Sequence, residues 1–171
     1  MNQTSLMRYT LPLILVAVLA ACSKPAAPVA PQEITAGTSC SLDGMNLADF
    51  PGPKGQIHYA TGKPDFFCDT VEMFSIYLQP EQKKRITGIF TQDMGKSDWQ
   101  KPQGQWIDAR LAYFVVGSRK NGSMGPTMAS FARLQDADNF ARQFGGKVLR
   151  FDQVTPEMAD LSGGVIHDKE M

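Results

Sequence analysis

Ala109-Arg110-Leu111-Ala112-Tyr113-Phe114-Val115-Val116 opens the part of this 171-residue chain that decides its fold. The run is rich in aromatic and β-branched residues and stops at Gly117-Ser118, so it reads as a strand. Thr127 to Leu134 reads as a second strand. Asp136 to Phe144 has helical character and ends on Gly145-Gly146, the residues a helix needs to break its own ladder. Lys147 to Asp152 then reads as a strand again. The order is strand, strand, helix, strand.

The first half is read as a second copy of this order, with one strand marked before its helix. Gly55 to Ala60 alternates apolar and polar behind the turn Phe50-Pro51-Gly52-Pro53, as a half-buried strand does. Phe67, Val71, Phe74 and Leu78 recur at helical spacing, with Asp65 or Asp69 available as the cap and Pro80 as the stop. Arg85 to Thr91 reads as a strand, and Gln92 to Gln105, with Gly95, Pro102 and Gly104, as a polar connection. The fold class expected is α+β, built of two ββαβ units over residues 37–93 and 106–152 within a domain spanning 37–162. Thr155 to Leu161 suits a short helix, and residues 163–171 a frayed tail.

The N-terminal residues carry no fold information. Met1 to Arg8 is polar with one positive charge, and Leu11 to Leu19 is an apolar run too short to span a bilayer, the pattern of a signal peptide over residues 1–21. It closes on Leu19-Ala20-Ala21-Cys22, which resembles the bacterial lipobox. Cys22 is then the lipid attachment point and the mature N-terminus. Ser23 follows it, where an aspartate would favour retention at the inner membrane, so the expected location is periplasmic and lipid-anchored, with the outer membrane favoured. Residues 22–36 carry Pro25, Pro28 and Pro31 among alanines and read as a flexible tether.

Removing the signal leaves about 150 residues, enough for one domain with a real core. Basic and acidic residues balance at 17 each, which gives no electrostatic case for nucleic acid or a polybasic membrane contact. Two cysteines remain beside the anchor. Cys40 and Cys68 could pair as a disulfide in an oxidising compartment. Cys68, within Phe66-Phe67-Cys68, also suits a small half-buried hydrophobe, and the favoured reading is two free thiols with only Cys40 functional.

The chemistry-bearing stretches are Cys40-Ser41-Leu42-Asp43-Gly44-Met45 and Ser123-Met124-Gly125-Pro126-Thr127-Met128. A thiolate and thioethers on glycine-containing turns are soft donors that suit monovalent copper better than magnesium or zinc. Gly44 lets the chain turn so that the sulfurs of Cys40 and Met45 face one point. Met124 lies in a polar loop, where an apolar side chain is hard to explain as core. Met128, on the strand that follows, is expected to pack inward. Met73, Met94 and Met158 read as gap-filling or surface residues. Asp43 could act as an acid beside a thiolate. His58 is expected to be exposed or hydrogen-bonded, His167 solvated in the tail. A closed zinc site would want four Cys or His ligands, which this pattern does not supply.

Cys40 through Met45, Gly52-Pro53-Lys54-Gly55-Gln56-Ile57, Trp106-Ile107-Asp108-Ala109, Gly117-Ser118, Met124-Gly125-Pro126 and Phe140 through Gly146 together resemble the NosL family, bacterial lipoproteins encoded with nitrous oxide reductase. The resemblance runs from the lipobox to about Phe151. It implies two ββαβ units related to the organomercurial lyase core and one bound Cu⁺. It also implies a part in assembling the reductase's copper-sulfide centre, with an ABC transporter, its periplasmic subunit and the reductase itself as partners. Many members carry Cys-x-x-Cys-Gly-Met where this chain has Asp43 in place of the second cysteine. Cys40, Met45 and Met124 are the metal ligands the resemblance carries over. The expected function is a copper(I) chaperone and not an enzyme. Its rivals are a thiol-dependent enzyme of the lyase type and a metal-free scaffold that docks assembly partners.

Overall fold

The computed structural model describes residues 28–81 and 85–161. The signal peptide at 1–21, Cys22, the first part of the tether and the tail with His167 lie outside the described residues.

The first unit consists of β1 (Gly55–Tyr59), β2 (Asp65–Phe67), α1 (Thr70–Tyr77) and β3 (Ile86–Gln92). A further strand, β4 (Trp106–Asp108), extends its sheet to the order β2-β1-β3-β4, with every neighbouring pair antiparallel. The second unit consists of β5 (Tyr113–Val116), β8 (Ala129–Phe131), α2 (Leu134–Phe144) and β9 (Lys147–Arg150), in the order β8-β5-β9. Each unit therefore places its first strand between its second and third, with the helix inserted before the third. Between β5 and β8 the chain adds a two-stranded ribbon, β6 (Asn121–Gly122) and β7 (Gly125–Pro126).

The duplicated ββαβ order expected from the sequence is present, with corrected boundaries. Asp65 does not cap the helix. It opens β2, and Asp69 is the N-cap, its carboxylate accepting from the Val71 N–H at 2.9 Å. The expected strand from Ala109 begins only at Tyr113. Asp108 accepts from the Arg110 N–H at 2.9 Å and turns Ala109–Leu111 into one 3₁₀ turn, which leaves Leu111 exposed. The Thr127 to Leu134 strand shortens to β8 because α2 starts at Leu134. The short helix after Thr155 is a 3₁₀ turn at Pro156–Ala159.

One core joins both units. Ile57 and Ile89 from the first sheet, Met73 and Phe74 from α1, Phe114 and Met128 from the second unit and Phe151 after β9 form a single buried cluster. The Phe74 and Phe114 rings meet edge to face at 4.9 Å, the geometry their quadrupoles prefer. Met128 is buried as expected. Hydroxyls stitch the sheets together where β3 passes β8: Ser130 Oγ lies 2.9 Å from Thr91 Oγ1 and donates to the Gln92 carbonyl at 2.7 Å. Gly55 is required by closeness, since a Cβ there would stand 2.7 Å from Met73 Sδ.

Residues 28–36 contain no helix or strand, yet they are tied to the domain. The Gln32 N–H donates to Gln56 Oε1 at 2.8 Å, Gln56 Nε2 donates back to the Gln32 carbonyl at 3.0 Å, and Ile34 packs beside Cys40 and Leu47. This part of the expected tether lies along the first sheet.

Candidate metal site

The Cys40 to Met45 segment closes on itself through local bonds. The Cys40 N–H donates to the Met45 carbonyl at 2.8 Å, and the Gly44 N–H to the Cys40 carbonyl at 3.0 Å. Gly44 sits at φ +79°, a conformation with little penalty only for glycine. The Asp43 carboxylate accepts from the Met45 N–H at 2.9 Å. The loop is then strapped to the edge of the first sheet, where the Ser41 N–H donates to the Phe66 carbonyl at 2.7 Å and the Phe66 N–H to Ser41 Oγ at 3.1 Å. That register brings Cys40 against the residue that follows β2, which is Cys68.

Cys68 lies just before the cap of α1, and Glu72 is the third residue of the helix, so the two stand one turn apart. Cys40, Asp43, Cys68 and Glu72 hold their donor atoms within 4.8 Å of one another. Cys68 and Glu72 are wholly buried, Cys40 nearly so, and Asp43 is at the surface. Both thiols are free. Cys40 Sγ lies 3.3 Å from Glu72 Oε2, and Cys68 Sγ lies 3.2 Å from the same oxygen.

The expectation that Cys68 is half-buried is corrected: it is wholly buried, and its sulfur approaches the same Glu72 oxygen as that of Cys40. Hydrogen bonding with the neighbouring Cys68 thiol, helped by the Cys68, Leu42 and Asp43 N–H groups, holds the Cys40 thiol down to about 6 against the opposing effect of burial. The same hydrogen bond, then burial, then Glu72 drive Cys68 far above the ordinary thiol range. The pair as a unit gives up one proton more readily than two separate thiols would, and the Cys40 side is the one favoured as thiolate. Burial, reinforced by the Cys40 charge, pushes Glu72 up to about 7. A soft anion sits beside a proton that an incoming soft cation can displace.

Met45 is partly buried against Cys40, Leu47 and Cys68, which puts it at the rim of the cluster. Met124 is 52% exposed at the tip of the β6–β7 ribbon. Its neighbour Ser123 has Oγ 3.1 Å from Cys68 Sγ, so the second-unit ribbon folds back over the first-unit thiols. The ribbon is held there tightly. A Cβ added at Gly122 would run into Oδ2 of Asp69, and one added at Gly52 would stand 3.0 Å from the Gly122 Cα. Thr127, behind the ribbon, donates to Asp69 Oδ1 at 2.6 Å.

His58 is remote in role: it is buried, its Nε2 lies 2.7 Å from Gln56 Oε1, and its ring meets Phe90 edge-on. Cys68 and Glu72 are the members the sequence reading missed. The available signal was their spacing of four across the Asp69 cap, which sets both on one helix turn.

Residues 31–159 match the family model described as NosL. The chain is 44% identical over 134 residues to the copper-binding lipoprotein NosL of Stutzerimonas stutzeri, the alignment covering 75% of this chain and 70% of that one. It is 35% identical over 159 residues to the copper-binding lipoprotein NosL of Achromobacter cycloclastes, covering 89% and 82%. The fold superposes on the crystal structure of the copper chaperone NosL from Shewanella denitrificans with a TM-score of 0.72 at 42% identity, over 75% of this chain and 97% of that one.

Proposed function

This chain belongs to the NosL family, and from that premise we propose that it is a lipid-anchored periplasmic copper(I) chaperone that supplies Cu⁺ for the copper-sulfide centre of nitrous oxide reductase. The observation that carries the reading is the buried pair of free thiols, Cys40 and Cys68, under an exposed methionine loop. The copper is cargo. Cys40 supplies the first thiolate and Cys68 the second sulfur, while Met45 at the rim and Met124 on the ribbon are thioethers that need no deprotonation. Glu72 takes up the proton that Cu⁺ displaces. A site of two buried thiols and uncharged thioethers at its rim holds a soft monovalent ion and leaves one side open, where a partner's ligand can invade. The ABC transporter, its periplasmic subunit and the reductase are the partners proposed. The outer membrane is the proposed anchor site.

The relatives' names as copper-binding lipoprotein and copper chaperone support the carrier reading over catalysis. One observation favours a second reading. Two cysteines with a carboxylate between them could also cleave a carbon–metal bond, with a thiolate attacking the metal and an acid protonating the carbon. Titration of the anaerobic, reduced protein with Cu⁺ against a chromophoric chelator separates these ideas. One tightly held Cu⁺ per chain, lost in Cys40→Ser, is the expected result. Proton release to an organomercurial with no retained copper would support the enzyme, and inertness toward both would support a scaffold.

A further inference from the structure

Lys54 is an unusual residue to find behind this cluster. It is 1% exposed, and its ammonium donates to the carbonyls of Phe50 at 2.8 Å, Pro51 at 2.9 Å and Cys68 at 3.1 Å. A buried ammonium normally demands a carboxylate. Among the described residues the salt bridges join Lys96 to Asp93 and Arg133 to Asp136, and Lys54 is in neither. Its charge is solvated by peptide dipoles, so its field is not cancelled by contact and reaches the neighbouring thiols. Next to Cys68 in the chain sits Asp69, a carboxylate 2% exposed whose Oδ2 has no hydrogen-bond partner. The cluster therefore has a buried cation at the Cys68 carbonyl and a buried carboxylate at the residue after Cys68.

We propose that Lys54 is a selectivity residue: its fixed charge behind Cys68 repels a divalent ion twice as strongly as a monovalent one and so biases this site toward Cu⁺. The inference rests on the copper-site reading above. The sign follows from Coulomb's law, in which the interaction with a fixed charge scales with the charge of the ion. Donor softness alone leaves a site with two thiols and a carboxylate attractive to zinc. A buried cation adds a penalty that softness does not supply. Asp69 acts in the opposite sense and tempers the penalty. Three carbonyl acceptors surround Nζ and take three N–H bonds, which the ammonium has and the neutral amine lacks, so the side chain is held as a cation.

The ratio of zinc to copper(I) dissociation constants isolates the effect, because proton displacement from the same thiols is common to both metals and cancels. The test uses the full reduced protein at pH 7.5, titrated with Zn²⁺ and with Cu⁺ against chromophoric chelators, in three forms: native, Lys54→Met and Asp69→Asn. Lys54→Met is expected to shift the ratio toward zinc by about tenfold or more. Asp69→Asn, which removes the opposite charge, is expected to shift it toward copper. Variants that weaken both metals alike, with the ratio unmoved, would give Lys54 a structural role only and overturn the inference. Should Lys54→Met not yield folded protein, the direction of the Asp69→Asn shift decides alone. A native protein that binds neither metal would overturn the copper-site reading as well, whereas binding with unmoved ratios would overturn this inference by itself.

Discussion

The two ββαβ units share a strand order but start their helices with opposite chemistry. Aligning the ends of β2 and β8 sets Phe67 against Phe131, Cys68 against Ala132, Asp69 against Arg133, and Glu72 against Asp136, each pair at the same step into its helix. In the first unit the cap is a buried carboxylate, and the third helical residue is a buried glutamate facing two thiols. In the second the cap position is an arginine with no side-chain cap bond, paired at the surface with Asp136 at 2.7 Å. The second unit contributes instead an insertion, the β6–β7 ribbon, which reaches across to the first unit's thiols. One copy of the architecture holds the site and the other covers it. A strand order does not confer function; the residues at one helix start do.

The largest effect expected from this asymmetry is at the thiols. Cys40→Ser should lower Cu⁺ affinity by more than about a hundredfold, since losing a ligand exceeds the cost of losing a ligand's support. Ala132→Ser, at the position equivalent to Cys68, should leave affinity unchanged. Chelator competition on both variants measures this, and equal behaviour would erase the distinction between the units.

The second unit's two methionines should divide stability from binding. Met128→Ala opens a cavity in the shared core and should cost about 2–5 kcal/mol on denaturant unfolding with copper affinity retained in the folded protein. Met124→Ala should cost under about 0.5 kcal/mol yet weaken Cu⁺ binding. The reverse assignment would place the ligand in the core and the core residue on the ribbon.

Asp69 gives the comparison a pH dependence. Burial raises its carboxyl from 3.8 to about 6 against the hydrogen bonds from Thr127 and Val71. Its folded pKa lies above the unfolded one, so between about 4 and 6 the unfolded chain binds fewer protons and stability falls as pH rises. Asp69→Asn removes that loss. Relative to native protein its stability should climb by on the order of 2–3 kcal/mol from pH 4 to pH 7. Asp136→Asn, which breaks only a surface pair, should cost under about 1 kcal/mol. Urea midpoints over that range test both.

Smaller again is the steric lock on the ribbon. Gly122→Ala drives a methyl into Asp69 and Thr127 and should cost roughly 1–3 kcal/mol while moving Ser123 away from Cys68 and weakening copper binding. Asp69→Ser in the same chain makes room and keeps a capping hydroxyl. It should restore copper binding, and a double variant as weak as Gly122→Ala would dissociate ribbon position from the site.

Much of this was legible in the sequence, for physical reasons. The aromatic and β-branched run at Tyr113 to Val116, the Gly145-Gly146 stop and the burial of Met128 all follow from local pattern. The Cys40 loop could be read because its turn is closed by bonds within six residues. The three-residue β2 was too short for a period to register, and β4 is a strand only because β3 offers it an edge. Asp108 overrode the strand propensity of Ala109 to Leu111 with a single side-chain bond. Cys68 and Glu72 reach Cys40 only through the Ser41 to Phe66 register. Lys54 and Asp69 acquire their meaning from burial, which composition does not reveal.

The most direct test of the paired-thiol site is X-ray absorption at the copper edge, on anaerobically loaded native protein and on Cys68→Ser. A sulfur-dominated first shell in the native protein that loses one sulfur in Cys68→Ser is the expected result. Identical shells in the two proteins, or a native shell dominated by oxygen or nitrogen, would contradict a copper held between Cys40 and Cys68.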